Sequence, residues 1–445
     1  MRFCVVNLGC KVNRVESDAF EAVLLGKGFS RASEEESDVI VVNTCTVTGE
    51  AEKKTRKAVR RALRANDHAR VVVTGCAAAI DPEAFASMNE RVDVVAKGDV
   101  ESYLACLADA STSENGCAAK PVGSDTETRK SGPLCIEGVH PDALVDHGSS
   151  VERTMVDEGV DASLFSSRTR VGLKVQDGCD NACTYCIVHV ARGRATSVAV
   201  QSVVERAVDL ARSGAREIVL SGINIGSYDS GGVRLAGLLD RLLSATQDIH
   251  VAGEPPVRFR VSSIEPADID DGFVELLASA DGRVCRHLHV PLQSGSSKVL
   301  REMARPYDAE DFSELVDYLR AMVPSVSLTT DVIVGFPGET GEDFEESCGM
   351  ARRCGFSKIH VFPYSQRKGT PAASRCDQIE PVLRAERARV LRDLSDELRL
   401  ADRLRRAGTV EWALVEERGH AMTESYHEVA PPSGAAVGSL VRVLL

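Results

Sequence analysis

The stretch "VQDGCDNACTYCIVHVARGR" (175–194) sets three cysteines, Cys179, Cys183 and Cys186, on one short polar loop with no fourth nearby. Thiolates bind soft metals, and close spacing on one loop lets several of them reach one cluster without rearranging the fold. Three ligands on a four-iron cube leave one iron open for a substrate or cofactor, by the logic that keeps a catalytic zinc site open. The other reading is a structural zinc site completed by His189, three residues after Cys186. Its C-x3-C-x2-C-x2-H spacing matches none of the common zinc patterns, in which two-residue gaps pair up.

Around this loop, from about 166 to 380, strands and helices alternate. Six strand candidates stand out: "RVGLKVQ", "EIVLSG", "VRFRVSS", "HLHVPL", "SVSLTTDVIVG" and "KIHVFPY". Each runs into a polar or Gly-rich piece, and the count predicts an α/β domain built as a partial six-unit βα barrel with its active site at the strand C-termini. Residues 1 to about 105 alternate in the same way ("RFCVVNLGC", "DVIVVNTC", "RVVVTGC") and predict a small βαβ domain with a parallel sheet. Cys10, Cys45 and Cys76 each fall at the carboxyl end of a predicted strand, the edge where open parallel sheets place ligand sites, so the three can converge. Read otherwise, they are three buried cysteines acting as small hydrophobes.

Net charge is −13, with hydrophobic content of 43% and charged content of 27%, values of an ordinary globular chain rather than a disordered one. No apolar run is long enough to span a bilayer and no leader pattern opens the chain, so a cytoplasmic protein with no membrane partner is expected. In that compartment the 14 cysteines are ligands, catalysts or core residues rather than disulfides. The charge is uneven. Residues 109–165, rich in Ser, Gly, Asp and Glu, carry eleven acids against four bases and read as a linker or insertion, whereas "KKTRKAVRRALR" (53–64) carries seven bases and no acid. That basic run, Lys53, Lys54, Arg56, Lys57, Arg60, Arg61 and Arg64, is either a solvated helix face or a phosphate-binding surface. An Arg-rich helix and about forty residues of short strands with Gly and Pro breaks close the chain and predict a small β-barrel.

C-x3-C-x-Φ-C with an aromatic at Tyr185 resembles the signature of radical S-adenosylmethionine (SAM) enzymes. Together with "NLGCKVNRVES", "VVNTCTVT", "VVTGCAA", "SSIEP", "HLHVPLQSGS", "TTDVIVGFPGET" and "HVFPYSQRKGTPA" it resembles the methylthiotransferases of that superfamily, over nearly all of the chain except 109–165. The resemblance implies two [4Fe-4S] clusters, one on Cys179, Cys183 and Cys186 that cleaves SAM and one on Cys10, Cys45 and Cys76 that carries the inserted sulfur. It implies SAM contacts at Tyr185, Asn224, Glu265, Gln293 and Gly335. The domains it implies are a methylthiotransferase domain (1–108), the acidic insertion (109–165), a radical SAM domain (166–404) and a TRAM-like RNA-binding β domain (405–445).

Within the family, "GCKVN" resembles the branch that acts on N6-threonylcarbamoyladenosine 37, in the anticodon loop of tRNA. The alternatives are isopentenyladenosine 37, an aspartate of a ribosomal protein and, outside the family, a zinc-bound RNA-binding protein without activity. The expected partners are tRNA, an electron donor and a sulfur donor, and the expected state is a monomer.

Overall fold

The computed structural model describes residues 1–46, 49–110, 169–251 and 253–445. The acidic segment 109–165, except for its first two residues, lies outside the described residues.

Five parallel strands, β1 (Arg2–Asn7), β2 (Ser30–Arg31), β3 (Val39–Thr44), β4 (Arg70–Gly75) and β5 (Val92–Val94), form the first sheet in the order β2-β1-β3-β4-β5. The unbroken apolar runs of β3 and β4 follow from this arrangement, since central strands of a parallel sheet are covered on both faces. Phe20 and Leu24 of helix α1 (Lys11–Gly26) pack with Phe3, Val41 and Val72 on one face. Ala58, Val59 and Ala62 of α2 (Gly49–Ala65) pack with Ile40, Val42 and Val71 on the other. A five-residue helix, α3 (Cys76–Ile80), follows β4 directly. The turn between them needs Gly75: its φ is +92°, and a Cβ there would lie 2.4 Å from the carbonyl oxygen of Thr44.

The second domain has six parallel strands in chain order, β6 (Arg170–Lys174), β7 (Glu217–Ser221), β8 (Arg258–Val261), β9 (His287–His289), β10 (Ser327–Val334) and β11 (Lys358–Pro363). Parallel ladders join β6 to β7 to β8 and β9 to β10 to β11, and single bridges, among them Ser263 to His289, join the two halves. Among the described residues β11 does not pair with β6, so the barrel is an open arc as the strand count predicts. Period-two alternation sends Ile218, Leu220, Phe259, Val261, Leu288 and Leu328 outward to the helices. The intervening Arg258, Arg260, His287, His289, Asp331 and His360 are left on the inner face. A short helix, α4 (Val188–Arg192), follows the three-cysteine loop, and α5 (Pro381–Arg405) closes the domain.

The last residues form β12 (Val410–Glu417), β13 (His420–Thr423), β14 (Glu428–Val429) and β15 (Leu440–Leu444), an antiparallel sheet in the order β14-β13-β12-β15. The small β unit expected from the sequence is this four-stranded antiparallel sheet. Its edge strand β14 is two residues long, and Pro431 and Pro432, which lack backbone donors, follow one residue later. The sheet docks on the barrel. Arg258 donates to the carbonyls of Trp412 (2.8 Å) and Met422 (3.2 Å), and Arg260 to those of Glu424 (2.9 Å) and Thr423 (3.1 Å). Both guanidinium groups also hold the buried carboxylate of Glu217. Burial pushes that carboxyl up, but Arg260 and Arg258 more than offset it and bring its pKa down to about 2. Tyr426, in a left-handed backbone conformation, stacks on His287 at 4.8 Å.

Candidate active site

Two sets of three thiols lie at the junction of the first two domains, which Arg192 bridges. Cys10 caps the start of α1, Cys45 directly follows β3 and Cys76 opens α3. Because β1, β3 and β4 are neighbours in the sheet, three residues distant in sequence gather at one edge. The approach is close: a Cβ on Gly9 would lie 2.9 Å from the Cβ of Cys45. Asn13 fixes this edge, donating to Asn43 Oδ1 (3.0 Å) and the Thr44 carbonyl (2.8 Å) and accepting from the Cys10 thiol (3.3 Å).

Cys179, Cys183 and Cys186 lie on the loop between β6 and α4. The Cys186 amide donates to the Cys183 carbonyl (3.0 Å) and the Cys179 amide to the Gly193 carbonyl (3.1 Å), so the loop folds on itself and the thiols converge. Burial pushes the Cys186 thiol up to about 11, and burial likewise raises Cys179 and Cys76. A buried thiol held neutral releases its proton to solvent when a metal binds, and the metal then stabilises the thiolate.

Each set has one buried arginine aimed at a sulfur. Arg305 donates through Nη1 to Cys183 Sγ (3.2 Å) and through Nε to the Tyr307 hydroxyl (3.1 Å), and its Nη2 pairs with Glu265. Arg192, the last residue of α4, donates through Nε to Cys76 Sγ (3.2 Å). It also reaches Asp177 (2.7 Å), Glu16 (3.1 Å) and Asn13 (2.8 Å). Lys174 and Lys97 complete this interdomain cluster through Glu16, at 2.9 and 3.0 Å. An N–H directed at a thiolate stabilises anionic sulfur, the state a cluster ligand adopts, so both sets fit an iron–sulfur cluster.

A zinc site on Cys179, Cys183, Cys186 and His189 fits less well. Among the described residues, only His289, Asp331 and His360 bring three candidate ligand atoms within 4.8 Å of one another. The thiols are spread more widely than the ligands of one tetrahedral ion.

The other residues singled out in the sequence are distributed around the second set. Glu265 comes to it through Arg305. Tyr185 packs against the cluster of Val299, Met303, Phe336, Tyr364 and Ala372. Asn224 donates to Asp268 (2.8 Å), and its Oδ1 is buried without a partner among the described residues, an acceptor left for a ligand. Gln293 adopts φ +66° and bridges to β10. The Gly335 amide is occupied by the Glu339 carboxylate at 3.0 Å.

The basic run forms the exposed face of α2. Arg56 is paired with Glu52 and Asp81, and Arg61 with Glu34. Lys53, Lys57, Arg60 and Arg64, spaced four, three and four apart on one stripe, make no ion pair with a described residue, whereas Lys54 is engaged. The stripe lines a groove of about 630 Å³.

Residues 2–97 match the family described as "Uncharacterized protein family UPF0004", and residues 173–351 match the radical SAM superfamily. A Bacillus subtilis (strain 168) protein named threonylcarbamoyladenosine tRNA methylthiotransferase MtaB is 38% identical over 394 residues, 88% of this chain and 79% of that one. The chain belongs to the MtaB-type methylthiotransferases. A protein of the same name from Aquifex aeolicus is 32% identical over the whole of both chains. A tRNA-2-methylthio-N(6)-dimethylallyladenosine synthase from Endomicrobium trichonymphae is 29% identical over 94% of this chain and 89% of that one. Among solved structures, the radical SAM methyltransferase TsrM from Kitasatospora setae shares the fold, with a TM-score of 0.54 and 19% identity over 84% of this chain and 77% of that one. The family uses two [4Fe-4S] clusters and SAM.

Sequence reading did not find Arg192, Arg305, Asn13 or Glu16. Arg192 lies inside the loop motif itself, six residues after the last thiol. Arg305 carried no such signal.

Proposed function

We propose that this protein converts N6-threonylcarbamoyladenosine 37 of tRNA to its 2-methylthio form, with one cluster on Cys179, Cys183 and Cys186 and the other on Cys10, Cys45 and Cys76. The observation that carries the reading is the pair of three-thiol sets, each with a buried arginine directed at a sulfur and the two tied together by Arg192. When bound, the clusters and SAM supply hydrogen-atom abstraction, a sulfur atom and a methyl group, chemistry suited to an inert aromatic C–H bond.

The chain's own residues hold and orient. Arg305 and Arg192 stabilise thiolate charge. Glu265 keeps Arg305 in place, and the unpaired Asn224 Oδ1 would be free to accept a hydrogen bond from SAM, with Tyr185, Gln293 and, through groups other than its engaged amide, Gly335 as further contacts. The basic stripe of α2, Lys53, Lys57, Arg60 and Arg64, takes anticodon-stem phosphates, and the target base, lying in a loop, can be splayed toward the open barrel. The reaction also requires an electron donor and a sulfur donor.

Mass spectrometry of nucleosides from tRNA of cells with and without the gene tests this. Loss of the methylthio form with accumulation of threonylcarbamoyladenosine is the expected result. Accumulation of isopentenyladenosine, or an unchanged tRNA profile with an altered ribosomal protein, would replace it.

A further inference from the structure

The loop "SQRKGT" (365–370) lies between the two thiol sets. On one side Gly369 faces Ile187, the residue after Cys186; a Cβ there would lie 3.8 Å from Ile187 Cδ1, and the Ala372 amide donates to the Thr184 carbonyl at 3.0 Å. On the other side Arg367 reaches toward α2, with Nη1 3.6 Å from Glu52. Burial disfavours its charge, and Glu52 and Cys45 offset that only in part. The side chain is 6% exposed, and its Nε and Nη2 are buried with no partner among the described residues.

Those two nitrogens form one edge of the guanidinium, the edge that binds a carboxylate through two parallel hydrogen bonds. The same chain uses this edge elsewhere: Arg70 holds Asp93 through Nε (2.8 Å) and Nη2 (2.6 Å), and Arg61 holds Glu34 in the same way. A buried cation with this edge unmet is costly, so the site is built for an anion.

We propose that Arg367 is an anion-binding residue between the two thiol sets, where the base to be modified must sit. The inference rests on the proposed function. Threonylcarbamoyladenosine carries a free carboxylate on its threonyl arm, and a planar carboxylate matches the open edge. The second source of an anion at this place is the sulfur to be inserted, as hydrosulfide or methanethiolate.

The test uses the full chain with both clusters installed anaerobically. Affinity is measured for an anticodon stem-loop bearing threonylcarbamoyladenosine and for the same stem-loop with that carboxylate methyl-esterified. The wild type should prefer the acid by about tenfold or more, the loss expected when a desolvated charge pair is broken. Arg367→Met should bind acid and ester alike, and Arg367→Lys should recover part of the preference. Iron content and circular dichroism establish that each variant is folded and loaded.

Equal affinities in the wild type, or wild-type preference in Arg367→Met, exclude the carboxylate. In that case a methanethiolate-induced change in the electron paramagnetic resonance of the N-terminal cluster, present in the wild type and lost in Arg367→Met, assigns the sulfur anion. If Arg367→Met is folded and loaded and matches the wild type in both measurements, the proposal is overturned. A wild-type protein that leaves threonylcarbamoyladenosine tRNA unmodified would instead sink the functional reading.

Discussion

The two thiol sets reach similar arrangements by opposite routes. Cys179, Cys183 and Cys186 share one loop, and their convergence needs little more than local hydrogen bonds. Cys10, Cys45 and Cys76 belong to three strand ends and meet only because β1, β3 and β4 are adjacent in the sheet. The local set is a motif, whereas the dispersed set is a product of topology. A site of the second kind fails whenever the sheet order fails, and it is invisible until the order is known.

Cysteine substitutions break the comparison most completely. Cys183→Ala should abolish SAM cleavage and methylthio product together, whereas Cys45→Ala should lose the product and keep measurable SAM cleavage. Each should lose about half of the bound iron. Full product from either variant would refute the ligand assignment.

The two arginines offer a finer contrast. Arg192→Met should lower the midpoint potential of the N-terminal cluster by something on the order of tens of millivolts and leave the other cluster unmoved, and Arg305→Met should do the reverse, because hydrogen bonds to sulfur favour the reduced state. Redox titration followed by electron paramagnetic resonance reads both, and shifts in the wrong cluster would dissolve the pairing.

A smaller effect concerns the stripe on α2. Lys57→Glu, Arg60→Glu and Arg64→Glu together should weaken tRNA binding and reduce the slope of log affinity against log salt by roughly three, about one for each phosphate no longer neutralised. An unchanged slope would return the stripe to an ordinary solvated face.

Acid tests the bond between the two sets. Burial pushes the Glu16 carboxyl up, but Lys174, Arg192 and Lys97 pull it further down, so its pKa in the folded protein lies below the ordinary 4.5. Stabilisation from such a group is complete above the ordinary value and is lost as pH falls through the lower, folded one. Melting temperature should therefore begin to fall as pH drops below about 4.5, and Glu16→Gln should flatten that fall. An identical profile in the variant would remove Glu16 from the account.

Strand periodicity made both parallel sheets legible, because buried β-branched runs and their polar endings are local features of the chain. The thiols were legible too, through spacing in one set and strand-end position in the other. The arginines were not: Arg192 meets Cys76, and Arg305 meets Cys183, only across more than a hundred residues of chain, and nothing in an arginine's neighbours states which sulfur it will face. The same holds for the unmet edge of Arg367. Counting cations overstated the basic helix, since Arg56 and Arg61 are taken by carboxylates from other elements. The C-terminal strands were legible as a small all-β unit, because short strands with Gly and Pro breaks are local features too.

The docking of the last sheet bears on how such chains can be cut and recombined. Arg258 and Arg260 grip it through four main-chain carbonyls, those of Trp412, Met422, Thr423 and Glu424. A chain ended after α5 would leave two buried guanidinium groups without those acceptors, so the barrel is not a free-standing unit. The grip reads side chains as well: Tyr426 stacks on His287, Glu424 pairs with Arg286 at 2.8 Å and His427 with Asp402 at 2.9 Å. A sheet of different sequence that repeats the same turn and keeps those three side chains could be grafted in its place, leaving its outer surface open to change while the joint beneath it stays the same.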